Sequence, residues 1–278
     1  MESVGRVIEN KKITLDFYHL KIKVPATFKI AKPGQFIHAR VTSTMMDPLM
    51  RRPLSLYRVH PLGAKDWTAE ALYRAVGHGT ELLATLKPGD ALNVLGPQGN
   101  PYSLNSKDKT LLMVAGGYGV APLYFLCEKL LADPKNKSKE IHVILGARNK
   151  EFLLCVEEFK ALGVHVHITT DDGSRGERGV VTGTLRRLLA SSRLKRKNTT
   201  VYSCGPHRML EAVAEVCLER KVSCQVSMEE RMGCSVGVCL GCVCKVKASK
   251  KEKGMPPYRF VRVCTEGPVF DARQVIFR

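Results

Sequence analysis

Short stretches of alternating hydrophobic and polar residues fill the first hundred positions of the chain, and pairs of glycine and proline separate them. Alternation with a period of two is typical of strands with one exposed face, and regularly spaced short strands favour a small antiparallel barrel. One segment, GTELLATL (79–86), has the pattern of a helix instead. The predicted strands are ITLDFYHLKIKV (13–24), GQFIHARV (34–41), LSLYRV (54–59), AEALYRAV (69–76) and ALNVLG (91–96).

From about Lys109 the pattern changes to buried strands that alternate with helices. TLLMVAGG (110–117) is a continuous apolar run, APLYFLCEKLLAD (121–133) has helical spacing, and EIHVILGAR (140–148) is a second apolar run. The alternation continues as far as the helix PHRMLEAVAEVCLER (206–220). This pattern predicts a parallel sheet with helices on both faces, in which ligands bind at the carboxyl ends of the strands.

The last segment is short and rich in cysteine. It consists of a cysteine loop, a strand VCKVKAS (243–249), a basic turn and a few further strand-like stretches. Because so few residues bury little apolar surface, a bound metal would supply missing stability. We therefore predict a multi-domain chain with an antiparallel β-barrel at 1–105, an α/β parallel-sheet domain at 106–222 and a small C-terminal domain at 223–278.

Net charge narrows the possible partners only slightly. The formal charge of +18 would attract nucleic acid, an anionic membrane or an acidic protein. The basic runs DPKNKSKE (133–140), RLKRKN (193–198) and ASKKEKG (248–254) lack interleaved aromatic residues for base stacking, so we expect no nucleic-acid partner. No apolar run approaches the roughly 18 residues of a spanning helix, and the N-terminus lacks a secretory signal. We expect a cytoplasmic protein without a membrane partner.

Four cysteines carry the most specific signal. Cys234, Cys239 and Cys242 form a C-x4-C-x2-C run typical of plant-type two-iron clusters, and Cys264 is the natural fourth ligand. Zinc is the competing metal, although it usually takes paired C-x2-C knuckles. Cys244, two positions after Cys242, is an alternative ligand that the spacing leaves open. The remaining thiols at apolar helical positions are expected to be core residues, namely Cys127, Cys155 and Cys217.

Two further groups of residues point to nucleotides. Arg52 and Ser55 at the start of a predicted strand suit a pyrophosphate and a flavin ring, and Gly79 with Thr80 opens the short helix, whose free N–H groups favour phosphate. A glycine turn (Gly116, Gly117, Gly119) and a later strand end (Cys204, Gly205) permit close approach of a dinucleotide. Each motif alone is also compatible with a surface arginine, an ordinary cap or a structural turn.

The chain contains, in this order, the motifs RRPLS, LYR with GT, GGYGVAPL, CGPHRML, GCSVGVCLGC and EGPVF. Together they resemble the ferredoxin-NADP reductase superfamily, and within it the electron transfer subunits of NAD-dependent dihydroorotate dehydrogenase type B. The resemblance implies an FAD-binding barrel, a nicotinamide-binding domain and a 2Fe-2S domain. It implies NAD as a further cofactor, with Cys234, Cys239, Cys242 and Cys264 as cluster ligands. The implied flavin contacts are Arg52, Pro53, Leu54, Ser55, Leu72, Tyr73, Arg74, Gly79 and Thr80.

The resemblance also implies a partner. Dihydroorotate would be oxidised on an FMN-containing catalytic subunit, in an assembly of two such subunits with two chains of this kind, and electrons would pass through the cluster and FAD to NAD. No dihydroorotate site and no catalytic residue is predicted in this chain. An electron transfer subunit or stand-alone NAD(P)H reductase for another acceptor is the alternative. NADP also stays open, because Arg148 after EIHVILGA could meet a 2'-phosphate.

Overall fold

The N-terminal part of the protein is a closed antiparallel barrel. The computed structural model describes residues 1–42, 47–192, 194–248 and 256–277. The barrel order is β1-β2-β5-β4-β3-β6, which confirms the predicted architecture. A helix, α1 (His78–Thr85), follows β5 and agrees with the predicted helix. The strands are β1 (Glu2–Thr14), β2 (Phe17–Pro25), β3 (Phe36–Arg40), β4 (Arg52–Leu62), β5 (Asp66–Arg74) and β6 (Ala91–Gln98).

The sequence prediction of the first strand was wrong in its bounds. The single strand expected at 13–24 is divided by a turn in which Leu15 has φ of 41°. Asp16 completes the turn, and its carboxylate pairs with Arg74. Only Gly5 and Val7 are fully buried along β1, so the hydrophobic pattern of this strand is too weak to reveal it.

The second unit is a seven-stranded sheet in the order β10-β9-β8-β7-β11-β12-β15. Its strands are parallel except β15, which runs antiparallel to β12 at one edge. Helices α2 and α3 pack on one face and α4 and α5 on the other, as two separate hydrophobic clusters indicate. The elements are β7 (Thr110–Gly116), α2 (Val120–Ala132), β8 (Glu140–Ala147), α3 (Val156–Ala161), β9 (His165–Thr170), β10 (Glu177–Arg178), α4 (Val181–Ala190), β11 (Thr199–Cys204), α5 (His207–Arg220), β12 (Ser223–Ser227) and β15 (Val269–Asp271).

The sheet continues past the predicted boundary at residue 222. Strand β12, which the sequence assigned to the C-terminal domain, pairs in parallel with β11 from Thr200↔Ser223 to Cys204↔Ser227. The physical reason is that β12 follows α5 after a left-handed turn at Lys221, which returns the chain to the sheet. The cysteine loop therefore starts at the carboxyl end of a sheet strand.

The C-terminal segment shares a core with the sheet. It contains β13 (Val243–Lys247), β14 (Tyr258–Arg262), a short helix α6 (Val263–Glu266) and β16 (Val275–Ile276), and β13 lies between β14 and β16. Cys242, Cys244 and Cys264 are buried in the same cluster as residues of α4 and α5. Part of the basic insertion, residues 249–255, lies outside the described residues. None of the helices in the described part of the chain is long and apolar enough to cross a membrane.

Candidate functional site

A cavity of about 710 Å³ lies where the barrel, the sheet and the cysteine segment meet. All the predicted flavin contacts line it, together with Gly119, Cys204 and Gly205 from the sheet. The strand β4 brings Arg52 to Ser55 to its wall, β5 brings Leu72 to Arg74, and α1 closes one end. The barrel thus gathers residues that are some twenty positions apart in the sequence.

Arg52 lies across the first turn of α1. A Cβ atom added to Gly79 would come within 2.4 Å of the Arg52 guanidinium, so glycine is what permits this approach. The guanidinium also donates to the Met50 carbonyl. A fixed cation beside the free N–H groups of a helix N-terminus is a favourable place for phosphate.

Thr80 and Arg74 have partners within the protein. The Thr80 hydroxyl accepts hydrogen bonds from the main-chain N–H of Val76 at 2.9 Å and Gly77 at 3.3 Å, which stabilises the loop before α1. The Arg74 guanidinium is 2.8 Å from the Asp16 carboxylate and lies over the rings of Phe17 and Phe152. Both side chains therefore shape the cavity wall.

A second cavity of about 400 Å³ opens at the carboxyl ends of β7, β8 and β9. Gly116 and Gly117 of the predicted nicotinamide turn line it, as do Arg148 and Asp171. Gly117 has φ of 56°, a conformation that glycine adopts without strain. Gly119 is also required, because an added Cβ would lie 2.4 Å from the Cys204 carbonyl oxygen. The turn thus packs its backbone directly on the end of β11.

The two cavities share one wall, made of Arg74, Tyr118, Gly205 and Glu229. Across it, the Tyr118 hydroxyl is 2.9 Å from both carboxylate oxygens of Glu229. Burial raises the pKa of Glu229, which the Tyr118 hydrogen bond partly offsets. Sequence analysis missed this pair because its members belong to loops 111 positions apart. Their only signal is that each loop follows a strand of one parallel sheet.

Cys204 is at the carboxyl end of β11 and faces the larger cavity. It is 9% exposed, and burial raises the pKa of its thiol to about 12. The thiol is therefore neutral at physiological pH. A small, neutral, polarisable group in this position fits beside a planar ring.

The four predicted cluster ligands stand as two pairs. Cys234 contacts Cys239 in the loop, whereas Cys242, just before β13, contacts Cys264 in α6. Cys239 is exposed, Cys234 half-buried, and the other two are buried. Within the described ranges no three His, Cys, Asp or Glu side chains are arranged to hold one metal ion. A 2Fe-2S cluster has two irons, each of which takes two thiolates.

The loop backbone is folded around the sulfur atoms. Main-chain N–H groups of Val236, Val238 and Cys239 each lie 3.4 Å from Cys234 Sγ, and Gly241 N–H lies 3.4 Å from Cys239 Sγ. Burial opposes ionisation of Cys234, but these N–H groups outweigh it and lower the pKa of the thiol to about 6. Amides that stabilise a thiolate are what an iron-bound cysteine requires, so the residues fit the cluster.

The other cysteines differ from these four. Burial raises the pKa of Cys244 to about 11. Cys244 lies on β13 and pairs with Val261 of β14 in the small sheet. Cys127 and Cys217 are buried core residues, as predicted. Cys155 is half-buried and adopts a left-handed conformation just before α3, so it precedes the helix and does not lie within it.

Comparison with known proteins identifies the family. The oxidoreductase NAD-binding domain matches residues 113–215, and the iron-sulfur cluster binding domain of dihydroorotate dehydrogenase B matches residues 229–276. The electron transfer subunit of dihydroorotate dehydrogenase B (NAD(+)) from Desulforamulus reducens is 38% identical over 273 residues, which cover 98% of this chain and 97% of that protein. The same subunit from Geobacillus kaustophilus is 39% identical over 262 residues, 93% and 92% of the two chains.

Solved structures agree. An NADH-dependent reduced ferredoxin-NADP oxidoreductase, studied for flavin-based electron bifurcation, superposes with a TM-score of 0.79 at 29% identity over 98% of this chain and 90% of that one. The ferredoxin NADP+ reductase from Neisseria gonorrhoeae with bound FAD and NADP shares the fold, with a TM-score of 0.63 at 18% identity over 79% and 91% of the two chains. The two family matches confirm an NAD-binding domain and an iron-sulfur cluster domain, and the second removes the zinc alternative. The chain belongs to the family of electron transfer subunits of dihydroorotate dehydrogenase B, within the ferredoxin-NADP reductase superfamily.

Proposed function

We propose that this chain passes electrons from a catalytic subunit that oxidises dihydroorotate to NAD, in pyrimidine biosynthesis. One observation carries the proposal: the flavin cavity lies between a dinucleotide cavity and a cysteine loop, and shares wall residues with both. A bound flavin supplies exchange between carriers of one electron and carriers of an electron pair. The chain's own residues hold the three groups close together.

Each wall of the flavin cavity has a separate task in this proposal. Arg52 and the N-terminus of α1 bind the pyrophosphate of FAD, and Ser55 on β4 orients the ring by a hydrogen bond. Gly205 and the glycine turn after β7 let the nicotinamide nucleotide approach the backbone closely. Cys204 packs against the rings, since its buried thiol stays neutral.

Cys234, Cys239, Cys242 and Cys264 would hold the cluster, and the loop amides would stabilise its negative charge. The lowered pKa of Cys234 supports this role, because metal binding requires the thiolate. Arg262 supports the loop from β14, since its Nη1 donates to the Gly237 carbonyl at 3.2 Å. The cluster would then lie at the protein surface on the Cys239 side and be covered on the Cys242 side.

The surface around Cys239 suits a partner subunit. Val236, Val238 and Leu240 of the same loop are 54%, 78% and 60% exposed, which is unusual for aliphatic side chains so close together in sequence. We infer that the FMN-containing catalytic subunit covers this patch, in an assembly of two such subunits with two copies of this chain. The site of action we propose is the cytoplasm.

The purified chain provides the decisive test. Expressed alone, it should contain flavin and two irons, and it should reduce an artificial acceptor with NADH while leaving dihydroorotate unchanged. Mixing with the FMN catalytic subunit should then give NAD-dependent dihydroorotate oxidation. Dihydroorotate turnover by this chain alone, or no flavin in the preparation, would refute the proposal.

A different electron acceptor is the second candidate. The superposition on an NADH-dependent ferredoxin-NADP oxidoreductase over 98% of this chain favours it, because the same three-part chain occurs in that enzyme. Affinity capture from cell extract discriminates the two functions. Recovery of an FMN dihydroorotate dehydrogenase supports the first, and recovery of a different oxidoreductase as the stoichiometric partner supports the second.

A further inference from the structure

A buried histidine lies between the flavin-binding strand and the cysteine loop. His38 is in the middle of β3 and has 0% exposure. Its neighbours Ile37 and Ala39 face the interior of the barrel, whereas Phe36 belongs to the core around Cys242 and Cys264. Because side chains alternate along a strand, the His38 ring points with Phe36, out of the barrel and toward the cysteine segment.

The strands beside His38 are those of the flavin cavity. His38 pairs with Pro53 on β4, one residue from Arg52, and with Leu95 on β6. The Arg51 guanidinium donates to the His38 carbonyl at 3.4 Å and to the Asn93 side chain at 2.7 Å, which fixes this part of the barrel. His38 itself does not line the flavin cavity, so its ring lies behind the cavity wall.

Within the described part of the chain, the hydrogen-bonding capacity of the His38 ring is unused. Neither Nδ1 nor Nε2 has a hydrogen-bond partner among the described residues, an uncommon condition for a fully buried imidazole. Burial, followed by the charges of Arg51 and Arg52, lowers the pKa of His38 to about 4, so the ring is neutral and carries one N–H. Met232 belongs with Phe36 to the core cluster on the side of β3 to which the ring points, and the Arg51 and Met232 carbonyls partly offset the lowering of the ring's pKa.

The two carbonyls are not equivalent. The Arg51 carbonyl already accepts a hydrogen bond from Arg52 Nη1 at 3.4 Å. Met232 comes two residues before Cys234, at the entrance of the loop whose N–H groups surround Cys234 Sγ. A hydrogen bond from His38 to the Met232 carbonyl would therefore anchor that loop to the strand that binds the flavin.

We propose that His38 is a positioning residue that holds the cluster loop against the flavin strand by donating its single ring N–H to the Met232 carbonyl. Loss of this anchor lets the loop entrance move, and the N–H groups at Cys234 Sγ then align less well. Because hydrogen bonds to cluster sulfurs raise the reduction potential, the potential becomes more negative without the anchor. The proposal rests on the proposed electron transfer function only in assuming that flavin and cluster are both bound.

The test compares four variants of the full chain with the wild type, all with both cofactors bound. His38→Phe keeps the volume and removes the N–H, whereas His38→Asn and His38→Gln keep an N–H near one or the other ring nitrogen. His165→Phe is the matched control, since His165 is an exposed imidazole on β9 that lines neither cavity. The measurements are the midpoint potential and EPR spectrum of the reduced cluster, with hydrogen exchange in the peptide covering 228–242.

In His38→Phe we expect a more negative cluster potential, an altered EPR spectrum and at least tenfold faster exchange in the 228–242 peptide. At least one of the amide variants should restore all three, and His165→Phe should change none. An unchanged potential and unchanged exchange in His38→Phe overturn the proposal, as does a change that neither amide variant restores. Absence of flavin or cluster from the wild-type chain would instead contradict the proposed function. If His38→Phe does not fold, two measurements on the wild-type chain decide. Slow hydrogen exchange in the Met232 segment together with a His38 ring N–H resolved in the NMR spectrum supports the proposal, and the absence of both contradicts it.

Discussion

Two buried cysteines of the C-terminal segment, Cys244 and Cys264, differ in what surrounds them. Cys264 contacts Cys242, whereas Cys244, two positions after Cys242, is a high-pKa thiol within the small sheet. We expect Cys264→Ser to lose the visible absorption of the cluster and about half or more of its iron, because one of four ligands is replaced by a poor one. Cys244→Ser should keep the spectrum and lose only modest stability. Equal loss of iron in both variants would show that Cys244 is a ligand.

The Tyr118–Glu229 hydrogen bond separates the flavin cavity from the dinucleotide cavity. A nicotinamide ring that reaches the flavin has to pass this pair, so the pair must open when NADH binds. We expect Tyr118→Phe to lower KM for NADH by about three- to tenfold, the value of one hydrogen bond of about 1 kcal/mol, with a smaller effect on kcat.

The pH dependence of KM provides the control. The pKa of Glu229 is raised by burial, so the carboxyl ionises at a pH above its ordinary value. An ionised carboxylate binds the Tyr118 hydroxyl more strongly than a neutral one. In the wild-type chain KM for NADH should thus rise as pH rises through this pKa, and in Tyr118→Phe the rise should be weaker. Identical pH profiles in the two proteins would exclude a gate at this position.

At the scale of elements, Gly79 and Gly119 both lie too close to other atoms to accept a Cβ atom, but substitution should have different consequences at the two positions. A Cβ on Gly79 meets the flexible guanidinium of Arg52, which can move away, whereas a Cβ on Gly119 meets the Cys204 main chain, which cannot. We expect Gly79→Ala to keep the fold and bind FAD about ten- to a hundredfold more weakly, since one charge-assisted contact is displaced. Gly119→Ala should unfold more easily, by roughly 2–4 kcal/mol.

Thermal unfolding and flavin titration distinguish these outcomes. Gly77→Ala is a useful control, because an added Cβ there meets nothing within 4 Å although the residue also lines the flavin cavity. Gly77→Ala should change neither the thermal stability nor the affinity for FAD much. A Gly79→Ala chain with normal FAD affinity would mean that Arg52 does not bind the phosphates.

The elements also show what the sequence could predict. The barrel and the parallel sheet were evident because each has a local pattern, alternation in the first and apolar runs in the second. The four cluster ligands stay a prediction that rests on cysteine spacing. Strand β1 was missed because little of it is buried, and β12 was placed outside the sheet because five residues before a glycine-rich loop carry no periodicity. His38, Tyr118 and Glu229 could not be predicted, since their environment is made by distant segments.

At the scale of the whole molecule, the charge of +18 predicts how the partner docks. Long-range attraction accelerates association of oppositely charged surfaces and is screened by salt over about 10 Å at 0.1 M. If the catalytic subunit presents an acidic surface, the association rate should fall by about tenfold between roughly 50 and 500 mM salt. Dissociation should change little, because the exposed Val236, Val238 and Leu240 supply apolar contacts.

The position of the charge can be tested with matched pairs of substitutions. Lys247→Gln with Arg259→Gln removes two charges from adjacent strands of the cluster segment, β13 and β14. Lys135→Gln with Lys137→Gln removes two from the turn before β8, at the edge of the sheet opposite the carboxyl ends that form the cavities. The first pair should slow association more than the second, measured by stopped flow at low salt. Equal effects would mean that net charge, and not a docking face around the cluster, determines the rate.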